Sequence, residues 1–328
     1  MSVTETEILS RFLDRAYAGD RRAAASMAVA LLDDGITIEE LIGEVFVPAQ
    51  REVGERWHQN RTTVADEHLA TSVVQSALEA AAAASPASPA TSASALVACA
   101  EGDWHSLPAR MMSELLEAAG VPTNLLGAST PAEHVAGFLA QHRPTALVVT
   151  CSVPLFYEGA ARLIERAHTL GNPVMAGGRA VTNYGLARVL GADAAPSTPG
   201  DALAQLDVWA GSPPSALQPV GLNTDCGLDD PDIEGASASA FEILAARLPL
   251  MAAYDDAQRA RTLEDLSYIL RFARAAVLVG EPRVFSDFMD WQRLLLAARS
   301  VPISALDAGV TALLSVVGGT PVGEVLAT

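Results

Sequence analysis

Residues 95–108 read Ala-Leu-Val-Ala-Cys-Ala-Glu-Gly-Asp-Trp-His-Ser-Leu-Pro. A short apolar run is followed by a polar turn and then by the start of a helical stretch, which is typical of the first βα unit of a parallel sheet. Four further short runs, each separated from the next by a helical pattern, lie at 121–126, 146–150, 173–177 and 192–194. The pattern predicts a five-stranded, doubly wound parallel sheet over residues 95–210.

Helical periodicity dominates on both sides of this region. Residues 1–84 contain four segments with apolar residues at three- and four-residue spacing, which predicts a four-helix bundle. Residues 238–328 show the same spacing and predict an all-helical C-terminal domain. Stretches rich in Pro, Ser and Ala at 85–94, and in Gly, Pro and Asp at 211–237, predict linkers between these domains.

The composition restricts the class of partner. The net charge is −18, and all 21 basic residues are arginines. A chain without lysine cannot form a lysine Schiff base, and an acidic chain gives no concentrated basic patch of the kind that nucleic-acid surfaces need. We therefore expect no nucleic-acid partner.

Features of secreted and membrane proteins are not apparent. Cys99, Cys151 and Cys226 show neither a CxxC spacing nor a disulfide framework, and the charged first 20 residues lack the apolar core of a signal peptide. No apolar stretch has the length of a membrane span. We expect a soluble, cytoplasmic protein.

The turn after the first predicted strand contains the candidate metal ligand. A dinucleotide site would need a GxGxxG turn here, whereas this chain has Asp103-Trp104-His105. Ligands of open α/β sheets bind at the carboxyl ends of strands, so both side chains lie at the binding edge. One imidazole nitrogen can bind a metal there while the Asp103 carboxylate accepts a hydrogen bond from the other.

This turn, together with Ser152 after the third strand and Gly177-Gly178 after the fourth, resembles the motif of the cobalamin-binding domains of methionine synthase and its relatives. That motif reads DxHxxG, then SxL, then GG. The resemblance implies that His105 displaces the cofactor's own dimethylbenzimidazole base and becomes the lower cobalt ligand. It also implies that Ser152 lies near the freed nucleotide tail and that the two glycines leave room for it.

Two positions depart from the motif. Pro108 stands in place of the glycine of DxHxxG, and Pro154 in place of the leucine of SxL. The proline after the histidine leaves the conformation of this turn open.

A second resemblance lies at the end of the predicted bundle. Trp57, nine further residues and then Glu67-His68 resemble the cap of the cobalamin-dependent photoreceptors that repress carotenoid genes in the dark. The resemblance implies that Trp57 and Glu67 hold the adenosyl group of adenosylcobalamin and that His68 supports it. His58 is then the upper cobalt ligand after light breaks the cobalt–carbon bond. The alternative is that Trp57 anchors the bundle core and His68 is a helix-surface residue.

The C-terminal helices resemble the helical domains of photocobilins, photoreceptors that hold cobalamin beside the linear tetrapyrrole biliverdin. Such a pigment needs aromatic walls for its rings and arginines for its propionates. The candidates are Tyr268, Arg271, Arg274 and Trp291, among further aromatic residues and arginines including Phe272, Phe285, Phe288 and Arg293. The alternative is that these are ordinary amphipathic helices whose arginines are solvated. Cys226 could attach a bilin covalently, or it could be a linker cysteine without a role.

The sequence thus favours a light-sensing protein rather than an enzyme. We expect it to bind adenosylcobalamin and biliverdin and to signal through a light-dependent homo-oligomer to a partner that the sequence does not identify. One alternative is a corrinoid carrier of a methyltransferase system. Another is an adenosylcobalamin mutase subunit, which needs a substrate barrel of about 250 residues. The histidines outside the motifs, namely His134, His142 and His168, are expected on exposed helix surfaces.

Overall fold

The N-terminal region is a helical cap. The computed structural model describes residues 5–86 and 88–328. Residues 38–58 form one long helix that a π-helical turn (Ile42–Phe46) interrupts, and this helix packs with three others, as the periodicity predicts. The helices are α1 (Glu5–Tyr17), α2 (Arg21–Asp33), α3 (Ile38–Leu41), α4 (Val47–His58) and α5 (Val64–Ala84).

Side-chain caps set where these helices begin. Thr63 accepts a hydrogen bond from the Asp66 backbone N–H while the Asp66 carboxylate accepts from the Thr63 N–H, so that α5 starts directly after Thr63. Thr37 and Glu40 form the same capping box before α3. The start of α5 matters for function, because Glu67 and His68 lie in its first turns.

A four-stranded parallel sheet follows the cap. Its strand order is β2-β1-β3-β4, and every residue of β1 and β3 is buried, because helices cover both faces of the sheet. The strands are β1 (Ala95–Cys99), β2 (Thr123–Gly127), β3 (Ala146–Thr150) and β4 (Val174–Gly177). The helices are α6 (Leu107–Ala118), α7 (Ala132–His142), α8 (Tyr157–Thr169), α9 (Arg179–Thr182) and α10 (Pro199–Gly211).

The prediction of a fifth strand at 192–194 is wrong for the chain that the structure describes. Only an isolated bridge joins Ala194 to Met175 there. The Asp193 carboxylate accepts hydrogen bonds from the backbone N–H groups of Val174 and Gln218, at 2.8 Å each, and so turns the chain away from the sheet edge. His168, expected to be exposed, has a side chain that is only 13% exposed, and its Nε2 atom lies 2.9 Å from the Asp193 carboxylate.

The C-terminal helices share a core with the sheet. They are α11 (Asp230–Arg247), α12 (Asp256–Val279), α13 (Arg283–Ala298), α14 (Ile303–Val317) and α15 (Pro321–Leu326). Helix α11 begins at Asp230, inside the stretch predicted as a linker. Asp229 and Asp232 form a capping box at its start, and Pro231 lies in its first turn. A single buried cluster runs from the sheet face under α7 and α8 into α11–α15.

Polar contacts fasten this helical domain to the sheet domain. Arg274 of α12 donates to both carboxylate oxygens of Glu158 on α8, at 2.7 and 2.9 Å, and to the carbonyl of Leu228 at 3.0 Å. The cap, in turn, packs on α6 through Leu107 and Met111, which belong to the core of the bundle. No helix in the described ranges combines the length and the apolar character that crossing a membrane requires.

A partly buried carboxylate makes the helical domain sensitive to pH. Burial raises the pKa of Asp265, on α12, to about 6, against a hydrogen bond from the buried Gln292 of α13. Since the folded state then favours the protonated form, this contribution to stability is complete below pH 3.8 and is lost as the pH rises through about 6. With allowance for solvent screening, the loss is about 2 kcal/mol.

We therefore expect Asp265→Asn to be more stable than the wild type at about pH 7.5 and to depend less on pH between about 4 and 7. Urea unfolding of both proteins across this range measures the difference. Asp290→Asn, on the exposed side of α13, is the matched control and should follow the wild type within about 0.5 kcal/mol. An Asp265→Asn protein with the wild-type pH profile would contradict this account.

Candidate functional site

The Asp103 carboxylate organises the carboxyl edge of the sheet. Its side chain is fully buried. One oxygen accepts hydrogen bonds from the His105 backbone N–H at 2.9 Å and from His105 Nδ1 at 2.7 Å, and the other accepts from the Ser152 N–H at 2.7 Å. One carboxylate therefore fixes the turn after β1 against the turn after β3.

The same contact prepares His105 to bind a metal. Because a carboxylate only accepts, the Nδ1 atom carries the proton and the lone pair lies on Nε2. The hydrogen bond to Asp103 raises the pKa of His105, and the charges of Asp103 and Glu67 add to this effect against the cost of burial. The side chain is nevertheless 59% exposed, so its Nε2 atom is accessible to a ligand. A carboxylate behind a metal-binding imidazole increases its basicity.

The turn after β3 contains a hydroxyl group that lacks a partner. The Ser152 Oγ atom is buried and makes no hydrogen bond within the described residues. A buried hydroxyl without a hydrogen-bond partner destabilises the fold. The position of this hydroxyl at the binding edge therefore points to a polar ligand that forms the missing hydrogen bond. This is where the sequence places the tail of the cofactor.

The two glycines after β4 have different roles. Gly178 has a φ of +91°, and a Cβ atom there would lie 2.5 Å from the Cys151 carbonyl oxygen, so only glycine allows the β4 turn to approach the β3 turn. A Cβ atom on Gly177 would meet no atom within 4 Å. Gly177 therefore borders open space at the same edge as Ser152, as expected for a glycine that leaves room for a ligand.

The cap covers this edge. Glu67 of α5 is close enough to His105 for its charge to raise the pKa of the imidazole. Its carboxylate accepts from Thr71 Oγ1 at 3.2 Å and lies 3.4 Å from His68 Nε2. His68 is 75% exposed, and Trp104, beside His105, is 76% exposed. Glu67 of the cap therefore lies within range of a charge–charge interaction with His105 of the sheet.

Comparison with protein-family models agrees with this geometry. A B12 binding domain of the cap type matches residues 8–81, and a second B12 binding domain matches residues 93–205. The chain is a cobalamin-binding protein. The matches end at the boundary of the sheet domain.

Among the known proteins that are similar to this chain are a transcriptional repressor and a corrinoid protein. The HTH-type transcriptional repressor CarH of Myxococcus xanthus is 30% identical over 145 residues, which are 43% of this chain and 48% of that protein. The chain thus spans about half the length of this relative. A transcriptional repressor is not an enzyme, and B12 binding domains agree with a non-enzymatic role for this chain.

The second similar protein is the monomethylamine corrinoid protein of Methanosarcina barkeri. Its structure superimposes with a TM-score of 0.54 at 19% identity, and covers 62% of this chain and 100% of that one. At this identity the likeness shows the fold: a helical cap on a parallel sheet.

The residues at the sheet edge fit a cobalamin. The corrin ring supplies four nitrogen ligands to cobalt, so a single imidazole from the protein is sufficient. His105 provides an accessible Nε2 atom, Ser152 an unpaired hydroxyl, and Gly177 open space.

Trp57 and His58, the other cap residues of the sequence motif, face the helical domain. The His58 side chain donates from Nε2 to the Trp291 carbonyl at 2.9 Å, and the two rings stack at 4.9 Å between centroids. The Trp57 ring lies 6.0 Å from the Trp291 ring and 5.3 Å from the Arg299 guanidinium. Sequence reasoning missed Arg299, because an arginine directly after an amphipathic helix has no feature that distinguishes it from a solvated one.

The residues predicted to bind a tetrapyrrole do not all lie in one place. Tyr268 and Trp291 are each partly exposed, at 41% and 37%, and Arg271 donates to Ser267 at 3.3 Å. Arg274 bonds Glu158 and so joins two domains; its role in pigment binding stays a prediction. Phe285 and Arg293 line a cavity of about 510 Å³ bordered by α13, α14 and α15, away from the other candidates.

We expect His105→Ala to weaken cobalamin binding, because the protein then offers no lower ligand to cobalt. Asp103→Asn should weaken binding about 10- to 100-fold, the usual effect of losing a carboxylate behind a metal-binding imidazole. Titration in darkness, followed by cobalamin absorbance, measures both. His134→Ala, on an exposed helix surface, should bind as the wild type does. An His105→Ala protein with wild-type affinity and spectrum would remove His105 from the site.

Proposed function

We propose that this chain is a light sensor whose pigment is adenosylcobalamin, with His105 as the lower cobalt ligand. The observation that carries the proposal is the His105 side chain, whose Nδ1 atom donates to the buried Asp103 carboxylate while the side chain stays 59% exposed. The Glu67 carboxylate, near enough for its charge to raise the pKa of His105, supports placing Glu67 and His68 on the other face of the same cofactor. The similarity to the repressor CarH, over 145 residues, also favours a sensory role.

The residues divide the work between the two faces of the cofactor. Bound adenosylcobalamin supplies a cobalt–carbon bond that visible light breaks. Below it, Asp103 keeps the His105 proton on Nδ1 and leaves Nε2 for cobalt. On the other face, Glu67 and His68 would hold the adenosyl group, together with Trp57 once its ring leaves Trp291. His58 would be the residue that binds cobalt after the adenosyl group has left.

A corrinoid methyl carrier is the alternative that the fold also allows. The Methanosarcina barkeri corrinoid protein has a similar cap and sheet. The sensor is favoured because the Trp57, Glu67 and His68 pattern resembles a photoreceptor cap, and because the chain is similar to the repressor CarH over 145 residues. The C-terminal helices that share a core with the sheet also have a purpose in a sensor, as the element that responds to light.

We expect green light to release the adenosyl group and to give the absorbance spectrum of a cobalt held by two histidines. His58→Ala should lose the adenosyl group in light but should not form that spectrum, because the upper position lacks its protein ligand. His134→Ala is the control and should respond as the wild type does. Spectra recorded in darkness and after green light measure this.

Two results would contradict the proposal. An unchanged spectrum after illumination, together with preferential binding of methylcobalamin, would favour the methyl carrier. A His58→Ala protein with the wild-type light spectrum would assign the upper position to another residue.

We further propose that the helical domain binds biliverdin beside the cobalamin. Support comes from the Phe272–Phe288 stack, at 3.8 Å, which continues to Trp291 at 6.2 Å, and from the partial exposure of Tyr268. The segment Pro154–Phe156, at the cobalamin edge, packs on the same helix α12. Arg271, on the same helix α12, is the proposed arginine for a propionate.

The full-length protein, mixed with biliverdin, should show a red-shifted absorption band and induced circular dichroism. Arg271→Gln and Trp291→Leu should weaken this signal about 10-fold or more, since each removes a contact of a charged or aromatic group. Arg261→Gln, at an exposed position of α12, is the control. Absence of any induced dichroism in the wild type would leave the helical domain with a structural or signalling role.

The output of the sensor is proposed to be a change of assembly. Light would alter a homo-oligomer of this cytoplasmic chain, and a partner protein would respond to the change. Size-exclusion chromatography in darkness and after illumination compares the two states directly.

A further inference from the structure

Helix α13 of the C-terminal domain, with the residue that follows it, contacts the end of the cap helix α4 at several points. Arg299 donates to the carbonyls of Trp57 and His58, at 3.2 and 3.1 Å, which are the last two carbonyls of α4. The Trp57 carbonyl also accepts from the Asn60 N–H at 3.0 Å. Asn60 Nδ2 donates to the Ala298 carbonyl at 3.3 Å. Together with the stacking of Trp291 on His58, these contacts hold the two domains together at one point.

His58 is fully engaged in this contact. Its ring is parallel to the Trp291 indole, with 4° between the planes, and only 8% of the residue is exposed. Because the Trp291 carbonyl accepts a hydrogen bond from Nε2, that nitrogen carries a proton. A proton-bearing nitrogen cannot coordinate a metal, so His58 in this position is unavailable to cobalt through Nε2.

The contact also leads into the core of the helical domain. Trp291 lies 6.2 Å from the ring of Phe288, which stacks at 3.8 Å on Phe272 of α12. The next residue, Gln292, is 3% exposed and hydrogen-bonds Asp265 of α12. A displacement of Trp291 therefore acts on packed side chains rather than on a solvated surface.

We propose that Trp291 and Arg299 form a latch that holds His58 away from cobalt, so that cobalt coordination by His58 releases α13 from the cap. This inference rests on the proposed function, because it takes His58 to be the upper ligand after illumination. Coordination through Nε2 would move the proton to Nδ1 and break the hydrogen bond to the Trp291 carbonyl, so the carbonyl and the cobalt would compete for Nε2. The helical domain thereby senses which ligand occupies the upper face of the cobalamin.

The latch predicts a specific effect of light on α13. In the full-length protein loaded with adenosylcobalamin, hydrogen–deuterium exchange of peptides spanning 287–300 should become on the order of 10-fold faster after illumination. His58→Phe is the matched variant, because phenylalanine retains a ring to stack on Trp291 but has no nitrogen to bind cobalt. It should lose the adenosyl group in light and keep α13 protected. His134→Ala should behave as the wild type.

A second experiment tests the latch without light or cofactor. In the apoprotein, Trp291→Ala and Arg299→Gln should each accelerate exchange in 287–300, whereas Arg293→Gln, whose guanidinium pairs with Asp290 on the same helix, should not. Circular dichroism checks that each variant is folded. Unchanged exchange in both latch variants would overturn the proposal whatever the light response.

The light experiment separates the latch from the proposed function. A two-histidine spectrum with unchanged protection of α13 would overturn the latch and leave the proposed function intact. An absorbance spectrum that does not respond to light would overturn both. Faster exchange of α13 in the wild type, absent in His58→Phe, is the result expected of the latch.

Discussion

The buried Asp103 carboxylate is the contact on which the cofactor site depends. It accepts three hydrogen bonds, two from His105 and one from Ser152, and the Asp103 carbonyl accepts a fourth from the Ser129 N–H in the turn after β2. Three turns at the carboxyl edge are thus tied to one residue. Because a buried carboxylate must be hydrogen-bonded, these turns cannot separate without leaving its charge unpaired. The imidazole is therefore oriented before any ligand arrives.

The cap and the helical domain both pack on the sheet domain, and they also contact each other. The cap rests on α6 through its apolar core and brings Glu67 toward His105. The helical domain is joined to the sheet by a common core and by the Arg274–Glu158 pair, and to the cap by the contact between α13 and α4. A displacement of His58 can therefore reach the helical domain directly, through Trp291, without passing through the sheet.

Much of this arrangement could be predicted from the sequence, because it depends on local patterns. The start of α5 after Thr63 follows from its capping box, and the β3 run of Ala146–Thr150 is apolar throughout because both of its faces are covered. Asp103 and His105 are two residues apart, so their hydrogen bond could be inferred from spacing. Gly178 could be recognised from its motif, although the clash with Cys151 that requires glycine is visible only in the fold.

The contacts between distant segments could not be predicted. His58 and Trp291 are 233 residues apart, and nothing in either segment indicates that the two rings stack. Arg274 has the pattern of a surface arginine, and its partner Glu158 lies on another domain. The fifth strand was lost because the Asp193 carboxylate takes backbone hydrogen bonds that a strand would otherwise use. Each of these depends on tertiary packing that local periodicity does not encode.

The central claim is that the His105 nitrogen, rather than the cofactor's own base, is the lower ligand of cobalt. Electron paramagnetic resonance of the protein loaded with cob(II)alamin tests it directly, when the histidines carry the heavy isotope of nitrogen and the cofactor does not. Coordination by His105 gives a superhyperfine doublet in place of the triplet of the unlabelled protein, and His105→Ala loses the doublet. A triplet that persists in the labelled wild-type protein would mean that dimethylbenzimidazole remains bound to cobalt, and would contradict the account.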